Sequence, residues 1–366
     1  MNFITNRLRA TTGYVGIAFE ERDVRMVQVR EHREGLRVTG GAIVPMNEGD
    51  AASRSLGESL RAAFITGGFT GRPCVVSIPR SEVWTQIVRM PDMPDCELDE
   101  AVAWEASDRF GVDRDAMQCD WIETGSTSDD RREILIIAVN RACLDPRLEA
   151  VLSAGLRPVA VDTGFGGVAR LFSRRFRRDA DASSSRAVLD VGPSGSMLMV
   201  LRGRGIAFCK PVSIGGRHLD ARVAERLDLD TVGAGELRRA RLEGGTPLDP
   251  ATDGAVADAV KPVLAELARE AMLCLRHYSV SVRGGRLDNL VLSGADATEP
   301  GLLDLVQTAS RLPSTLDDES NCLGELADGL AQVMPGMVGP AGGWAAAAGL
   351  SLRGIEPRRS SGRRAA

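Results

Sequence analysis

The segment from Ala187 to Val200 places a carboxylate, two glycines and two hydroxyl groups between two apolar runs. The apolar residues on either side predict two strands joined by a tight hairpin. Gly192 and Gly195 let the backbone bend sharply enough to point N–H groups at an anion. The pattern is therefore typical of a phosphate-binding hairpin, in which Asp190 lies beside the turn and faces a metal ion or an attacking water. A plain hairpin carries the same residue types, so this segment alone leaves both interpretations open.

Composition excludes several kinds of protein. The chain has 366 residues, 43% of them apolar, which suffices for a large core in about two lobes. The net charge of −5 and the lack of a basic stripe with interleaved aromatic residues argue against a nucleic-acid partner. Lys210 and Lys261 are the only lysines, so a Walker-type phosphate loop is impossible.

Cysteines and histidines indicate neither a metal site nor a hydrolase. The seven cysteines contain no Cys-x-x-Cys pair, and their odd number fits no closed disulfide framework. The three histidines lie far apart, which argues against a zinc site and a Ser-His-Asp triad. The N-terminus lacks the apolar core of a secretion signal, and the uncharged run from Val338 to Leu352 is too short to cross a bilayer. We therefore expect a cytoplasmic protein.

The elements that must position the hairpin suggest a duplication. Tyr14 to Phe19 and Val24 to Val29 are predicted strands, joined by the charged turn Glu20 to Asp23. The second half begins in the same way at Asp190, and a later strand ends at the small residues Ser293-Gly294, which is typical of a ligand edge. Because both halves begin with strand, turn and strand, we expect two related α/β lobes.

Several short motifs are commonplace singly but specific in their order and spacing. They are Gly16-Ile-Ala-Phe19, Arg89-Met-Pro-Asp-Met-Pro94, Ala101-Val-Ala-Trp-Glu-Ala106, Ala154 to Asp162, Ala169-Arg170, Leu189-Asp-Val-Gly192, Ser213-Ile-Gly-Gly-Arg217, Gly235-Glu-Leu-Arg-Arg239, Leu292-Ser-Gly294 and Ala345 to Leu352. In this order they resemble the PilM family, the FtsA-related actin-like proteins of type IV pilus assembly. The resemblance extends from about Tyr14 to Arg353.

The resemblance implies an α/β, two-lobed actin-like ATPase fold with an α+β subdomain inserted in the first lobe. The implied boundaries are residues 1–72 for the first part of the first lobe, 73–160 for the insertion, 161–185 for a first-lobe helix and linker, 186–342 for the second lobe with a small subdomain near 216–285, 343–353 for a closing helix and 354–366 for a disordered basic tail.

The resemblance also implies a nucleotide cleft. Carried over by position, its residues are Asp190, Gly192, Ser194, Gly195 and Ser196 on the second phosphate hairpin, Gly215 and Gly216 beside it, Glu236 and Arg239 toward ribose and adenine, and Ser293 and Gly294 on the adenosine side. For Glu236 and Arg239, a solvated helix face would explain the same residues equally well.

The chain departs from the family where phosphate should bind. Ala18 stands where the first loop has an aspartate, and Glu20 replaces a glycine, so adjacent carboxylates face the anion. Pro193 removes an N–H from the second hairpin, and Ala295 stands where a second glycine is expected. We therefore expect a degenerate cleft, with binding of ATP and Mg doubtful and no useful hydrolysis. An actin-like ATPase with active nucleotide switching is the alternative, and it would need a functioning first loop.

The resemblance implies one partner, the cytoplasmic N-terminal peptide of a PilN-like protein, which would hold the chain at the inner membrane. The candidate surface comprises Met90, Met93, Trp104 and Glu105, because Met and Trp beside prolines suit an adaptable groove. Core packing explains these residues too. A type II secretion platform component of the same fold is an alternative, and self-association stays open. An FtsA-like division protein would end in an amphipathic helix, a pattern that residues 354–366 lack.

Overall fold

The structure is a computed structural model that describes residues 11–32, 35–46, 54–128, 131–174, 176, 184–242, 248–281, 285–317, 321–336 and 339–355. Its strands are β1 (Thr11–Thr12), β2 (Val15–Phe19), β3 (Asp23–His32), β4 (Gly35–Pro45), β5 (Pro73–Ile78), β6 (Val83–Pro91), β7 (Met117–Ser128), β8 (Arg131–Asn140), β9 (Arg157–Thr163), β10 (Ser185–Val191), β11 (Ser196–Arg202), β12 (Gly205–Val212), β13 (Asn289–Ser293) and β14 (Ser314–Thr315).

Ten helices lie within the described residues. They are α1 (Arg54–Thr66), α2 (Asp95–Phe110), α3 (Arg141–Ser153), α4 (Gly164–Ser173), α5 (Gly216–Leu227), α6 (Thr231–Leu242), α7 (Pro250–Ser281), α8 (Leu302–Ser310), α9 (Cys322–Val333) and α10 (Ala345–Leu352). A short 3-10 turn, Arg80–Glu82, follows β5.

Two sheets share one strand order. The first runs β4-β3-β2-β5-β9, with β1 also paired to β3, and the second runs β12-β11-β10-β13-β14. In each, the first three strands pair antiparallel and the last two join in parallel. The duplicated α/β lobe predicted from the two strand-turn-strand openings is therefore confirmed.

A third, antiparallel sheet of order β6-β8-β7 forms the inserted subdomain. Leu98, Val102 and Ala106 of α2 are buried in one cluster with Trp121 and Ile134 of this sheet. The insertion is narrower than the expected residues 73–160. β5 and β9 pair within the first sheet, and α3 packs against α1, so only about Val83–Asn140 forms the separate unit. The buried apolar run of β5 explains this, because a central parallel strand is covered on both faces.

The end of the chain returns to the first lobe. α10 packs against α4 and β2, and α9 packs against β4. Glu325 of α9 accepts a hydrogen bond from the Leu36 N–H at 2.8 Å. The expected second lobe, residues 186–342, is therefore too long. Its last helix, α9, belongs to the first lobe, because α9 covers the first sheet. The expected linker, over residues 177–183, and the tail, over residues 356–366, lie outside the described residues.

The longest helix is α7, with 32 residues. Leu264, Leu267 and Tyr278 are buried against the second sheet, whereas Arg269 and Arg276 are exposed. Across the part of the chain that the structure describes, no helix is long and apolar enough to span a membrane.

Candidate functional site

A cleft of about 330 Å³ lies where the hairpin turns of the two lobes face each other. The β2–β3 turn, Glu20 to Asp23, forms one wall, and the β10–β11 turn, Gly192 to Gly195, forms the opposite wall. Residues of α6, the Gly294 to Asp296 turn after β13, and Trp344 also line it, together with residues of α4 and α5. Strand ends of two sheets meet here, so the fold gathers residues that are far apart in the sequence.

Asp190, at the end of β10, lies in this cleft as predicted, but its carboxylate is bound by an arginine. The distance from Arg80 Nη2 to Asp190 Oδ2 is 2.5 Å. The same guanidinium donates to the main-chain carbonyls of Asp190 at 3.3 Å and Gly195 at 3.5 Å. Burial raises the pKa of Asp190, while the guanidinium of Arg80 acts against that rise. Because Arg80 follows β5, this ion pair links the first lobe to the second.

The second hairpin uses its main chain to anchor α5. The Gly192 N–H donates to the Gly195 carbonyl at 3.0 Å, which closes the turn. The N–H groups of Gly216 and Arg217 donate to the carbonyls of Gly192 at 3.0 Å and Pro193 at 2.8 Å. The first N–H groups of a helix are the ones that bind anions in phosphate sites. Here, two of them are already bonded to protein.

Of the other residues predicted on and beside the second hairpin, some line the cleft and others are buried behind it. Ser194 and Gly216 line the cleft. Ser196 is fully buried, and its hydroxyl donates to the Ile214 carbonyl at 2.6 Å, so it does not face a ligand. Gly215 packs against the hairpin, where a Cβ atom would lie 2.3 Å from the Gly192 carbonyl oxygen. It therefore permits the close approach of α5 and stays outside the lining.

The first turn crosses to α5 through two ion pairs. Glu21 pairs with Arg217 at 3.1 Å, and Arg22 pairs with Asp220 at 3.3 Å. The two arginine side chains are 53% and 45% exposed, whereas the Glu21 and Asp220 side chains are largely buried, so solvent screens the arginine end of each pair. Together with the ion pair of Arg80, they connect the two lobes across the cleft.

Glu20 faces the cleft at the base of this turn. Its N–H donates to the Asp23 carbonyl at 2.9 Å, which sets the turn. Burial raises the pKa of Glu20 to about 7; Arg25 opposes this rise, and the negative charges of Asp190 and Asp23 add to it. Carboxylates therefore gather on this wall, as the sequence predicts.

The turn after β13 is tightly constrained. Ser293 is buried beside Asp190. Gly294 has φ of +102°, and a Cβ atom there would lie 2.2 Å from the Val191 carbonyl oxygen. Only glycine adopts this conformation without strain. Gly294 and Ala295 both line the cleft.

The two residues predicted on α6, Arg239 and Glu236, lie in different environments. Arg239 lines the cleft, whereas Glu236 is exposed and lies outside the lining. Of the two interpretations that the sequence left open for Glu236, its exposure favours the solvated helix face. A helix turns about 100° per residue, so Gly235, Arg238 and Arg239 share the inner face and Glu236 points away from it.

Sequence reasoning missed Arg238, whose side chain is 1% exposed. It binds Asp220 at 2.7 Å, Asp296 at 2.6 Å and Glu299 at 2.9 Å. Burial lowers the pKa of Arg238, but the three carboxylates raise it above its usual value, so the guanidinium stays charged. Helical spacing alone could have placed Arg238 on the face of Gly235. Its partners come from α5 and the region after β13, which no local pattern reveals.

The candidate partner surface lies on the inserted subdomain. Met90 and Met93 are partly buried against its core. Trp104 is 63% exposed, and the Arg114 guanidinium lies 4.5 Å from the centre of its ring. Glu105 pairs with Arg109 at 2.6 Å. The two methionines therefore pack in the core of the subdomain, whereas Trp104 lies on its surface.

Comparison with protein families matches residues 16–355 to the model described as type IV pilus assembly protein PilM. The chain belongs to the PilM family. Since the match spans both lobes and the inserted subdomain, the resemblance drawn from the ordered motifs is confirmed.

Solved structures agree with this assignment to the PilM family. A chain of the PilM-PilN type IV pilus biogenesis complex has a TM-score of 0.74 and 20% identity, covering 94% of this chain and 99% of that chain. The ethanolamine utilization protein EutJ from Carboxydothermus hydrogenoformans has a TM-score of 0.53 and 14% identity, covering 95% of this chain and 91% of that chain. At these identities the likeness concerns the fold, and the expected actin-like ATPase fold is confirmed.

Proposed function

We propose that this PilM-family chain is a scaffold of the inner-membrane platform of type IV pilus assembly and binds the cytoplasmic N-terminal peptide of a PilN-like protein. The observation that carries the proposal is the match of 94% of the chain to a chain of the PilM-PilN complex. The chain then lies in the cytoplasm and is held at the inner membrane through this partner.

The inserted subdomain offers the contact surface for such a peptide. The Trp104 indole is 63% exposed, and tryptophan is enriched among residues that dominate binding energy. Arg114 stacks over the ring of Trp104 and holds it on the surface of α2. We place Trp104 at the centre of the peptide contact, with Glu105 beside it on α2, whereas Met90 and Met93 pack in the core of the subdomain.

The cleft, in this proposal, does not hydrolyse ATP. A magnesium-bound triphosphate needs free oxygen ligands and free N–H donors. Here Arg80 binds Asp190, the hairpin carbonyls accept from the first N–H groups of α5, and Glu20 faces the space for phosphate. These residues do not fit the cofactor, which supports a scaffold role.

One calorimetric series tests both parts. A synthetic N-terminal peptide of a PilN-like protein from the same organism, and then ATP with magnesium, are titrated into the wild type, Trp104→Ala and Ile65→Ala. Ile65 is the matched control, because it is 70% exposed on α1, outside the inserted subdomain. We expect peptide binding that Trp104→Ala weakens about tenfold and Ile65→Ala leaves unchanged, and no heat from ATP.

Either part can fail separately. A peptide that does not bind, or binds equally well to Trp104→Ala, would overturn the proposed partner surface. Micromolar ATP binding that Asp190→Ala abolishes would overturn the degenerate cleft and restore the nucleotide-switched alternative.

A further inference from the structure

The guanidinium of Arg80 sits on a set of oxygen atoms that resembles the ligand set of a metal ion. Its partners are the Asp190 carboxylate and the main-chain carbonyls of Asp190 and Gly195. Carboxylate and carbonyl oxygens are the ligands that magnesium and calcium prefer. A single positive group of the protein therefore takes up oxygens that a divalent cation would use.

The protein holds Arg80 firmly in this place. Arg80 begins the 3-10 turn after β5, and Glu82 in the same turn forms a two-pronged ion pair with Arg147, both distances being 2.6 Å. Arg147 itself is buried in α3 and also donates to the Cys143 carbonyl at 2.6 Å. The turn is thereby fixed to the first lobe, so the position of Arg80 is built into the fold.

The charges around Arg80 show why a cation is needed there. Arg25 already pairs with Asp23 at 3.0 Å and lies over the Trp344 ring at 5.5 Å. Asp190 thus depends on Arg80 for its counter-charge, and Glu20 stands in the same cleft. Glu20 is thus a second carboxylate near Arg80; burial raises its pKa, Arg25 and Arg80 oppose the rise, and Asp190 and Asp23 add to it.

We propose that the Arg80 guanidinium occupies the place of a divalent metal ion in the cleft. In this position Arg80 prevents the binding of metal-bound phosphate. The inference rests on the proposed function and names Arg80 as the residue that makes the cleft degenerate. A guanidinium remains charged at all ordinary pH values, so a metal ion would have to displace it against direct repulsion. The same contact ties Arg80 of the first lobe to Asp190 and Gly195 of the second, and so links the lobes where a ligand otherwise would.

Binding of Mn²⁺ alone at pH 8, followed by the electron paramagnetic resonance signal of the free ion, tests this assignment. The variants are Arg80→Ala, Arg80→Gln, Arg80→Lys and the double variant Arg80→Ala with Asp190→Asn. Arg80→Gln serves if Arg80→Ala does not fold, and circular dichroism verifies the fold of each. We expect Arg80→Ala or Arg80→Gln to bind Mn²⁺ at least about tenfold more tightly than the wild type. Arg80→Lys and the double variant should lack this gain, because one keeps the positive charge and the other loses the carboxylate.

The outcomes separate this inference from the proposed function. Folded Arg80→Ala or Arg80→Gln without a gain in Mn²⁺ affinity overturns the role of Arg80 and leaves the scaffold proposal standing. Wild-type protein that binds Mn²⁺ as tightly as the variants also overturns it. Wild-type protein that binds ATP with magnesium would instead refute the degenerate cleft itself.

Discussion

The β2–β3 turn and the β10–β11 turn occupy equivalent places in two sheets of the same strand order, yet they differ in chemistry. The first, Glu20 to Asp23, consists of charged side chains and reaches α5 through ion pairs at exposed arginines. The second, Gly192 to Gly195, has no charged side chain and is tied to α5 by main-chain hydrogen bonds. The fold thus preserves the geometry of both turns while their side chains give them separate tasks.

This contrast indicates how the lobes are joined. The second turn is rigid, because its carbonyls are engaged by α5 and by Arg80. The first turn holds its side of the cleft by charge, which solvent and pH can weaken. Variants of the second turn should therefore affect stability through sterics, and variants of the first through electrostatics.

The largest effect should come from Gly215→Ala. The new Cβ would lie 2.3 Å from the Gly192 carbonyl oxygen and 2.5 Å from the Gly195 nitrogen, so the second turn or α5 must move. We expect a loss of about 3 kcal/mol in the free energy of unfolding, measured by denaturant unfolding. Gly192→Ala is the matched control, since its Cβ would meet the Gly195 carbonyl oxygen at a milder 3.2 Å. Equal losses in both variants would show that the second turn is no more rigid than its surroundings.

An intermediate effect should follow from Glu20→Gln and depend on pH. The folded pKa of about 7 lies above the ordinary 4.5, so the folded chain retains a proton that the unfolded chain has released. The free energy of unfolding should therefore fall as the pH rises from 4.5 to about 7. Glu20→Gln should remove this part of the slope and raise stability at pH 8 by about 1–2 kcal/mol.

Denaturant unfolding at a series of pH values measures this slope. Glu58→Gln is the control, because Glu58 is exposed on α1, outside the cleft lining, and should keep the wild-type slope. A slope for Glu20→Gln that equals the wild-type slope would contradict the raised pKa of Glu20.

The smallest effect should come from Arg217→Ala, which removes the partner of Glu21. An ion pair with an arginine that is 53% exposed contributes less than about 1 kcal/mol and weakens with salt. Thermal unfolding at low and high ionic strength should show a small difference from the wild type that vanishes in high salt. A loss of several kcal/mol would mean that the first turn is as firmly anchored as the second.

Much of the cleft could be predicted from local patterns. The alternation around Asp190 and the glycine at position 294 indicated a hairpin and a tight turn, and both are present. The sequence left two interpretations of Glu236 open, because its residue type fits either face of α6, and only the packing of α6 on α5 decides which face is buried. The limits of the insertion were also too wide, because the sequence does not show that β5 pairs with β2.

By itself, the sequence determined the succession of strands, turns and helices and the charged first turn, because these depend on residue types at short spacing, and it indicated the family through the order of its motifs along the chain. Only the tertiary structure decided that Arg80 binds Asp190, 110 residues away, and that Arg238 is buried among three carboxylates. Local periodicity reports which face of an element is apolar, and it carries no information on which charged side chains meet. Contacts between distant charged side chains depend on strand register and on how the two lobes pack against each other. Both are determined by the fold of the whole chain.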